Sequence, residues 1–335
     1  LGKDLMLIGT QFYLQLVLIF FFVIIVSGVF PAVYISNFET LKVLKGNFSR
    51  SKNGVWLRNG MLVLQFSIAT LFIIGSFIVH KQVNYMIAKD LGFDGAQVMD
   101  IVFRPVKGKI QYDRYKTIKQ ELLKIKGIEA VSTGAFSIGS NENSWQGLHY
   151  KSNKEVITQQ LGLDFGQLDL LGIKIVKGRD LNSKLATDSI TSALLNETAA
   201  KTLMVKDPIN KEITFGGQKY KVVGIVKDFH YIGMEYEVAP MIFFHIKSVT
   251  WMEDYLRFIS VKISPEGMPE TIAKIEKFWK SKVDQEYPFE YGFVNKNFAR
   301  TYKKYEDQRN LFALLNVAVI AIAVFGLFSL TSFSM

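Results

Sequence analysis

Three long apolar stretches interrupt the polar pattern of this 335-residue chain. In the first of them, no charged residue occurs between Asp4 and Glu39. A helix needs about 20 apolar residues to cross the hydrocarbon core of a bilayer. Buried core helices of a soluble protein are the alternative, but such helices rarely run this long without a charge. We therefore predict transmembrane helices over 11–35, 60–80 and 310–335.

The loop between the first two predicted spans, residues 36–59, is short and basic. It carries five Lys or Arg residues against Glu39 alone, a net charge of +4 in 24 residues, whereas the 229 residues of segment 81–309 carry a net charge of only +6. Short loops rich in Lys and Arg stay in the cytoplasm, and long domains cross the membrane largely regardless of their charge. The sequence thus predicts a cytoplasmic loop at 36–59 and an extracytoplasmic domain at 81–309.

Within the short loop, apolar residues recur at helical spacing. Phe38, Leu41 and Leu44 share one side, while Lys42 and Lys45 lie on other faces. This pattern is typical of an amphipathic helix that lies on the inner leaflet with its lysines toward anionic lipid. Such a linker could instead be a docking surface for a cytoplasmic partner.

Helical periodicity also continues past the membrane boundaries, which predicts stalk helices at 81–91 and 297–310. The stripe residues are Val83, Met86, Phe298, Tyr302 and Tyr305. An α-helix rises about 1.5 Å per residue, so a ten-residue extension projects about 15 Å. The stalks either carry movement rigidly between membrane and outer domain or merely connect the two.

Between the stalks, short strand-like runs alternate with two amphipathic helices, at 112–125 and 269–283. Asn196 is a candidate N-cap for a helix starting at Glu197, and Gly216-Gly217 indicates a hairpin turn. This pattern predicts an α+β domain in two subdomains. One subdomain, formed by a middle segment of about 140–235, is inserted into the sequence of the other subdomain.

Composition narrows the chemistry. The chain is 49% hydrophobic and has no Cys, which excludes disulfides, thiolate metal sites and a cysteine nucleophile. No phosphate-binding P-loop and no nucleophile-elbow motif is present. His230 and His245 could meet across a hairpin near Asp228, but a zinc site there lacks a clear third ligand. We expect no catalytic, cofactor or metal site. The net charge is +10, but the basic residues of the long outer segment form no stripe interleaved with aromatic residues, so we expect no nucleic acid partner.

Several segments, in order along nearly the whole chain, resemble FtsX-like, MacB-type ABC transporter permeases of Bacteroidota. They are GVFPAVYISNFETLKVLKG at 28–46, LRNGMLVLQFSIATL at 57–71, KDLGFD at 89–94, LGIKIVKGRD at 171–180, LNETAAK at 195–201 and VVGIVKDFH at 222–230. Each motif alone is weak, and none of them is catalytic. Together they are specific.

The resemblance implies a permease with eight spans in two four-helix halves, of which this chain would be a fragment starting at the last helix of the first half. It implies a MacB-type periplasmic core domain, an inner-membrane location and a separate subunit that holds ATP and Mg²⁺. It also implies mechanotransmission, in which ATP-driven dimerisation of the cytoplasmic subunits moves the stalks and reshapes the periplasmic domain.

The work served by this mechanism would be export, lipoprotein handling or antimicrobial-peptide defence. Membrane lipid and a periplasmic protein are the further partners we expect, and the assembly would be a pseudo-dimer within the full chain or a homodimer. Two alternatives stay open: a division-type regulator of cell-wall hydrolases, and a membrane signalling protein whose outer domain senses a ligand.

Overall fold

The computed structural model describes residues 10–25, 29, 33, 52–108, 110–140, 145–150, 154–204 and 207–334. Seven α-helices and eleven strands occur in these ranges. The helices are α1 Thr10–Ile24, α2 Lys52–Ala88, α3 Gln111–Leu122, α4 Gln167–Leu170, α5 Glu197–Thr202, α6 Met268–Phe278 and α7 Val294–Ser334. The strands are β1 Val98–Val102, β2 Ile128–Ser132, β3 Trp145–Tyr150, β4 Lys154–Leu163, β5 Ile175–Gly178, β6 Ser192–Asn196, β7 Glu212–Phe215, β8 Gln218–Val226, β9 Met241–His245, β10 Phe258–Ile263 and β11 Tyr291–Phe293.

The chain divides into two compact units, and the first consists of Leu1–Ser76 and Phe312–Met335. Among the described residues, two helical segments are long and apolar enough to cross a membrane, Asn59–Ala88 and Val294–Phe328, and only 6% of the most apolar window of each is buried. The apolar side chains of these windows therefore face outwards, whereas those of a core helix in a soluble protein are mostly buried. In α1 the apolar part that the structure describes is shorter, Tyr13–Ile24.

One polar contact joins two helices of this first unit. The Gln65 side-chain amide donates a hydrogen bond to the main-chain oxygen of Ile322. Gly326 faces the same amide at a distance that leaves no room for a Cβ. Small residues and amide side chains are common at contacts between membrane helices. The amphipathic linker residues Phe38, Leu41, Lys42, Leu44 and Lys45 lie outside the described residues, so that helix stays a prediction.

The second unit, Phe77–Leu311, contains the α+β domain, and its first sheet has the strand order β11-β1-β10-β2. All three pairings in this sheet are antiparallel. Helix α3 connects β1 to β2, and α6 connects β10 to β11, which is the split βαβ–βαβ arrangement of a ferredoxin-like fold. The two helices bury one face of the sheet, including Met99 and Ile101, against Trp279.

The second sheet is inserted between β2 and β10 and has seven strands in the order β5-β8-β6-β9-β4-β3-β7. Strand β7 pairs with β3 on one side and with β8 on the other, so the row closes into a ring that leaves out β5. A closed ring has no free edges to attract foreign strands. The turn between β7 and β8 is Gly216-Gly217, with both residues at positive φ, as the sequence predicts for a tight hairpin.

The inserted subdomain, residues 133–257, is larger than expected. The expected end near 235 is wrong because β9 pairs with β4 and with β6 and so belongs to the inserted sheet. Strands β3 and β11 were not expected from the sequence, and β7 was expected only as the first arm of the Gly216-Gly217 hairpin. The two-subdomain α+β fold is confirmed.

Candidate functional site where the long helices join the inserted subdomain

The end of α2 is attached to the inserted subdomain by a turn that only glycine fits. Gly92 has φ of +83°, and a Cβ added there would lie 2.8 Å from both the main-chain oxygen of Asp228 and the Cβ of Phe229. The Gly92 N–H donates to the Asp90 carboxylate at 2.9 Å. One residue earlier, the main-chain oxygen of Leu91 accepts a hydrogen bond from the N–H of His230 at 2.9 Å.

Main-chain hydrogen bonds extend this attachment to a third segment. The Asp94 N–H donates to the Leu171 oxygen at 2.7 Å, and the Lys227 N–H donates to the Lys174 oxygen at 2.8 Å. An exposed ion pair of 3.4 Å joins the Lys227 ammonium to Asp90. The hydrogen bond from the Gly92 N–H, followed by the hydrogen bond and the charge of Lys227, lowers the pKa of Asp90. Because the pair is exposed, the hydrogen bonds and packing hold the junction.

Asp228 fixes the start of α5 to the same place. Its carboxylate accepts hydrogen bonds from the Thr198 N–H at 3.1 Å and the Thr198 hydroxyl at 2.7 Å. In return, the Asp228 N–H donates to the Glu197 carboxylate at 3.0 Å. Asn196 caps the helix by accepting from the Ala199 N–H, as predicted, and it also accepts from the N–H of Met241. Helix α5 and strands β8 and β9 are therefore held together at one point.

The second long helix begins inside the same region. Helix α7 starts directly after β11, so Val294 follows the strand without a connecting residue. Phe298 is 1% exposed, and its ring packs edge-on against Phe93 at 5.3 Å between centroids. Gly139 lets the inserted subdomain approach closely, because a Cβ there would lie 2.9 Å from the main-chain oxygen of Asn297. The Gly139 N–H in turn donates to the Tyr231 oxygen at 2.7 Å.

Four of the five predicted stalk residues lie in or against one apolar cluster. Met86, Phe298 and Tyr302 are buried in it, with Leu171, Phe229 and Phe243 of the inserted subdomain among its members, and Tyr305 packs against it. Val83 is also buried, outside this cluster. The C-terminal end of α2 and the N-terminal end of α7 therefore pack into the hydrophobic core of the inserted subdomain. Burial, and next the charge of Glu235, raise the pKa of Tyr302 to about 12, so its hydroxyl stays neutral.

A buried polar cluster ties the two subdomains together at another point. Asp164, just after β4, accepts hydrogen bonds from Tyr112 at 2.8 Å, Tyr115 at 2.5 Å and Lys119 at 2.8 Å, all on α3. His245 approaches the same carboxylate with Nε2 at 3.4 Å. Its Nδ1 accepts from the Lys247 N–H, so Nε2 is the ring nitrogen whose N–H faces Asp164.

This cluster keeps Asp164 ionised despite its burial. Burial by itself raises the pKa of the carboxyl, but the hydrogen bond from His245 and the charge and hydrogen bond of Lys119 outweigh that effect and hold the pKa well below its usual range. Burial and the Asp164 charge raise the pKa of Tyr112 and Tyr115. The arrangement suits a structural clamp between subdomains.

The structure does not bring the candidate zinc ligands together. His245 is engaged with Asp164, and Asp228 is engaged with Thr198. Among the residues that the structure describes, no group of three or more His, Asp or Glu side chains is arranged to hold a metal ion.

Comparison with known families identifies the domain. The model of the MacB-like periplasmic core domain matches residues 61–278. The chain belongs to this family. The family places it among FtsX- and MacB-like ABC transporter permeases, confirms the expected resemblance and implies an ATP-binding partner. It is a family of non-catalytic permease components.

The chain is similar to several solved structures, among them the periplasmic region of MacB from Actinobacillus actinomycetemcomitans, at 19% identity over 65% of this chain and 97% of that one, with a TM-score of 0.47. The extracellular domain of the noncanonic ABC-type transporter YknZ from Gram-positive bacteria is 14% identical over 58% of this chain and 99% of its own length, with a TM-score of 0.43. A permease-protein domain from Porphyromonas gingivalis is 16% identical over 61% and 96%, with a TM-score of 0.42. No curated protein matches the chain.

Periodicity found the stalk stripe, which ends at Gly92, but it missed the junction residues Leu171 and Asp228. Their signal lay in the short motifs at 89–94, 171–180, 195–201 and 222–230, which are far apart in sequence. In the structure, all four of these motifs meet at the attachment of α2.

Proposed function

We propose that this chain is the permease subunit of an ABC transporter that converts ATP hydrolysis by a separate cytoplasmic subunit into movement of its MacB-like domain outside the cytoplasm. The observation that carries the proposal is the attachment of the α2 end, through main-chain hydrogen bonds and a glycine-only turn, to the inserted subdomain. Each long helix is unbroken, from Lys52 to Ala88 and from Val294 to Ser334.

Continuous helices and a close-packed junction are the parts that a mechanical coupling needs. Neither long helix contains a proline, and each continues as one α-helix through its glycines, among them Gly75 of α2. An unbroken helix resists bending, and a packed interior transmits displacement rather than absorbing it. ATP binding shifts the conformation of the outer domain only if it favours one arrangement of the helices over another. The ATP-binding subunit must therefore make different contacts with the two arrangements. The proposal includes a multi-pass location in the inner membrane and work in export, lipoprotein handling or peptide defence.

The test is a helix break at the junction. Met86→Pro removes a helical hydrogen bond and kinks α2 beside the apolar cluster, whereas the control Met86→Leu keeps the helix and nearly the same volume. Each variant is reconstituted in nanodiscs with its ATP-binding partner. A dye on a cysteine introduced at exposed Lys219 reports movement of the inserted subdomain when ATP is added.

We expect the wild type and Met86→Leu to show an ATP-dependent dye signal. Met86→Pro should hydrolyse ATP while the signal is lost. Near-ultraviolet circular dichroism of each variant shows whether the domain is still folded. A folded Met86→Pro variant with an unchanged signal would mean that α2 does not carry the movement.

A further inference from the structure

A small pocket lies on the inserted subdomain, with a floor made by three neighbouring strands. Trp145 on β3 is in register with Gln159 on β4, and Gln159 is in register with Met241 on β9. Cross-strand partners in register have their side chains on the same face of the sheet. The loop from Phe229 to Ala239 forms the wall of the pocket.

The amide at the centre of this floor is buried and without a partner. Gln159 is 1% exposed. Within the part of the chain that the structure describes, neither its Nε2 nor its Oε1 makes a hydrogen bond. A buried amide that is left unpaired costs free energy, so such a group in a pocket points to a ligand that supplies the missing donor and acceptor. A peptide bond offers one acceptor and one donor, which match the two ends of the Gln159 amide.

The size of the pocket limits what else enters. Its volume is about 250 Å³, below the range of about 300–1,000 Å³ that is usual for sites of small molecules. This volume suits one large apolar side chain. The lining is aromatic in part, and two of its rings, Trp145 and Tyr236, are about half exposed. Ile157, two residues before Gln159 on the same face of β4, is 55% exposed and extends the apolar surface beyond the pocket.

The rim carries negative charge. Glu237 lines the pocket, and Glu235 is exposed nearby in the same loop. Burial and then the charge of Lys89 lower the pKa of His230, so this ring is neutral at pH 7. No Lys or Arg is among the described residues that line the pocket. A basic side chain on the ligand would therefore be attracted to the rim.

We propose that this pocket binds an extended peptide segment of a partner protein outside the cytoplasm, with one large apolar side chain in the pocket, a Lys or Arg beside Glu237 and a peptide bond paired with Gln159. The inference rests on the proposed function only in placing the domain outside the cytoplasm. Binding is measured on the resting chain without ATP, so its failure would leave the coupling proposal intact, and failed coupling would leave the pocket intact.

The probe is a fluorescein-labelled, C-amidated peptide, Gly-Lys-Leu-Gly, titrated against the detergent-solubilised chain and followed by anisotropy. We expect saturable binding with a Kd below about 1 mM. Gln159→Met should weaken binding about tenfold without lowering the unfolding temperature, because the wild-type amide has no intramolecular partner to lose. Trp145→Ala should also weaken binding, whereas the control Trp251→Ala, at another exposed tryptophan, should leave it unchanged.

Two altered probes identify the contacts. Replacing the peptide bond after Leu by an ester removes its N–H and should weaken binding to the wild type but not to Gln159→Met, which isolates the pairing as a double-mutant cycle does. Changing Lys to Glu in the probe should weaken binding to the wild type and restore it in Glu237→Lys. Absence of saturable binding, or wild-type affinity in Gln159→Met, would overturn the proposal. Equal affinity for N-acetyl-leucine amide would also overturn it and indicate a small-molecule pocket.

Discussion

At Gly92, two separate constraints exclude a residue with a Cβ. The backbone is in the left-handed region, and the added atom would meet the main chain of Asp228. Gly108 has a similar φ of +76° but nothing within 4 Å of the Cβ position. Substitutions at the two glycines therefore separate the free-energy cost of the backbone conformation from that of the steric clash.

We predict that Gly92→Ala lowers the free energy of unfolding by about 2–4 kcal/mol, because it combines backbone strain with overpacking. Gly108→Ala should cost about 1 kcal/mol, for strain alone. Chemical denaturation of the purified variants in detergent, followed by tryptophan fluorescence, measures both values. Equal losses would show that the close approach of Asp228 adds nothing.

Two buried carboxylates have pKa values shifted in opposite directions. Asp164 is held ionised, whereas burial raises the pKa of Asp100 despite hydrogen bonds from Ser260 and Ser137. A lowered native pKa contributes stability above the unfolded value of 3.8, and this stability is lost as the pH falls through the native value. A raised native pKa contributes stability below the unfolded value, and this is lost as the pH rises through the native value.

We predict that Asp164→Asn costs about 3 kcal/mol at pH 7, because it removes the charge that Lys119 pairs with in a buried setting. The difference from the wild type should shrink as the pH falls below about 4. Asp100→Asn should be neutral or stabilising at pH 7 and lose that advantage in acid. Unfolding midpoints between pH 3 and pH 8 measure both, and parallel pH profiles for the two variants would contradict the assigned shifts.

At the scale of elements, helix α7 serves two environments along its length. Phe298 is 1% exposed in the domain core, while Phe325 of the same helix is 74% exposed. Apolar side chains near the end of this helix face outwards, as expected for a surface that meets lipid. A phenylalanine therefore packs in the domain core at one end of the helix and faces outwards at the other end.

We predict that Phe298→Ala lowers the free energy of unfolding of the domain by about 3–5 kcal/mol, because it leaves a cavity where α7 joins the inserted subdomain. Phe325→Ala, at an outward-facing position, should change it by less than about 0.5 kcal/mol. Both are measured by denaturation in the same detergent. A comparable loss at the two positions would argue against Phe298 as the anchor of the helix.

At the scale of the whole molecule, the absence of Cys allows topology to be mapped without background labelling. We predict that a cysteine at Lys52 resists a membrane-impermeant thiol reagent in intact cells, because the short basic loop stays in the cytoplasm. A cysteine at Lys219, in the inserted subdomain, should be labelled. The cysteine-free parent is the control, and the opposite pattern would reverse the predicted orientation.

The apolar stretches and the local turn signals were sufficient to predict the two long apolar helices that the structure describes, the α+β domain, the Asn196 cap and the Gly216-Gly217 hairpin. These features depend on residues that are close in sequence, because span length, helix capping and turn conformation are settled within a few residues. The short motifs indicated the family, but not why their residues belong together.

Only the tertiary structure decided where the inserted subdomain ends, that its sheet closes through β7, and that the motifs at 89–94, 171–180, 195–201 and 222–230 meet where α2 ends. It also placed His245 beside Asp164 rather than beside His230, and left the Gln159 amide alone in a pocket. Each of these facts is a pairing between residues far apart along the chain. Local periodicity carries no information about such pairings, because they depend on which surfaces pack together when the whole domain folds.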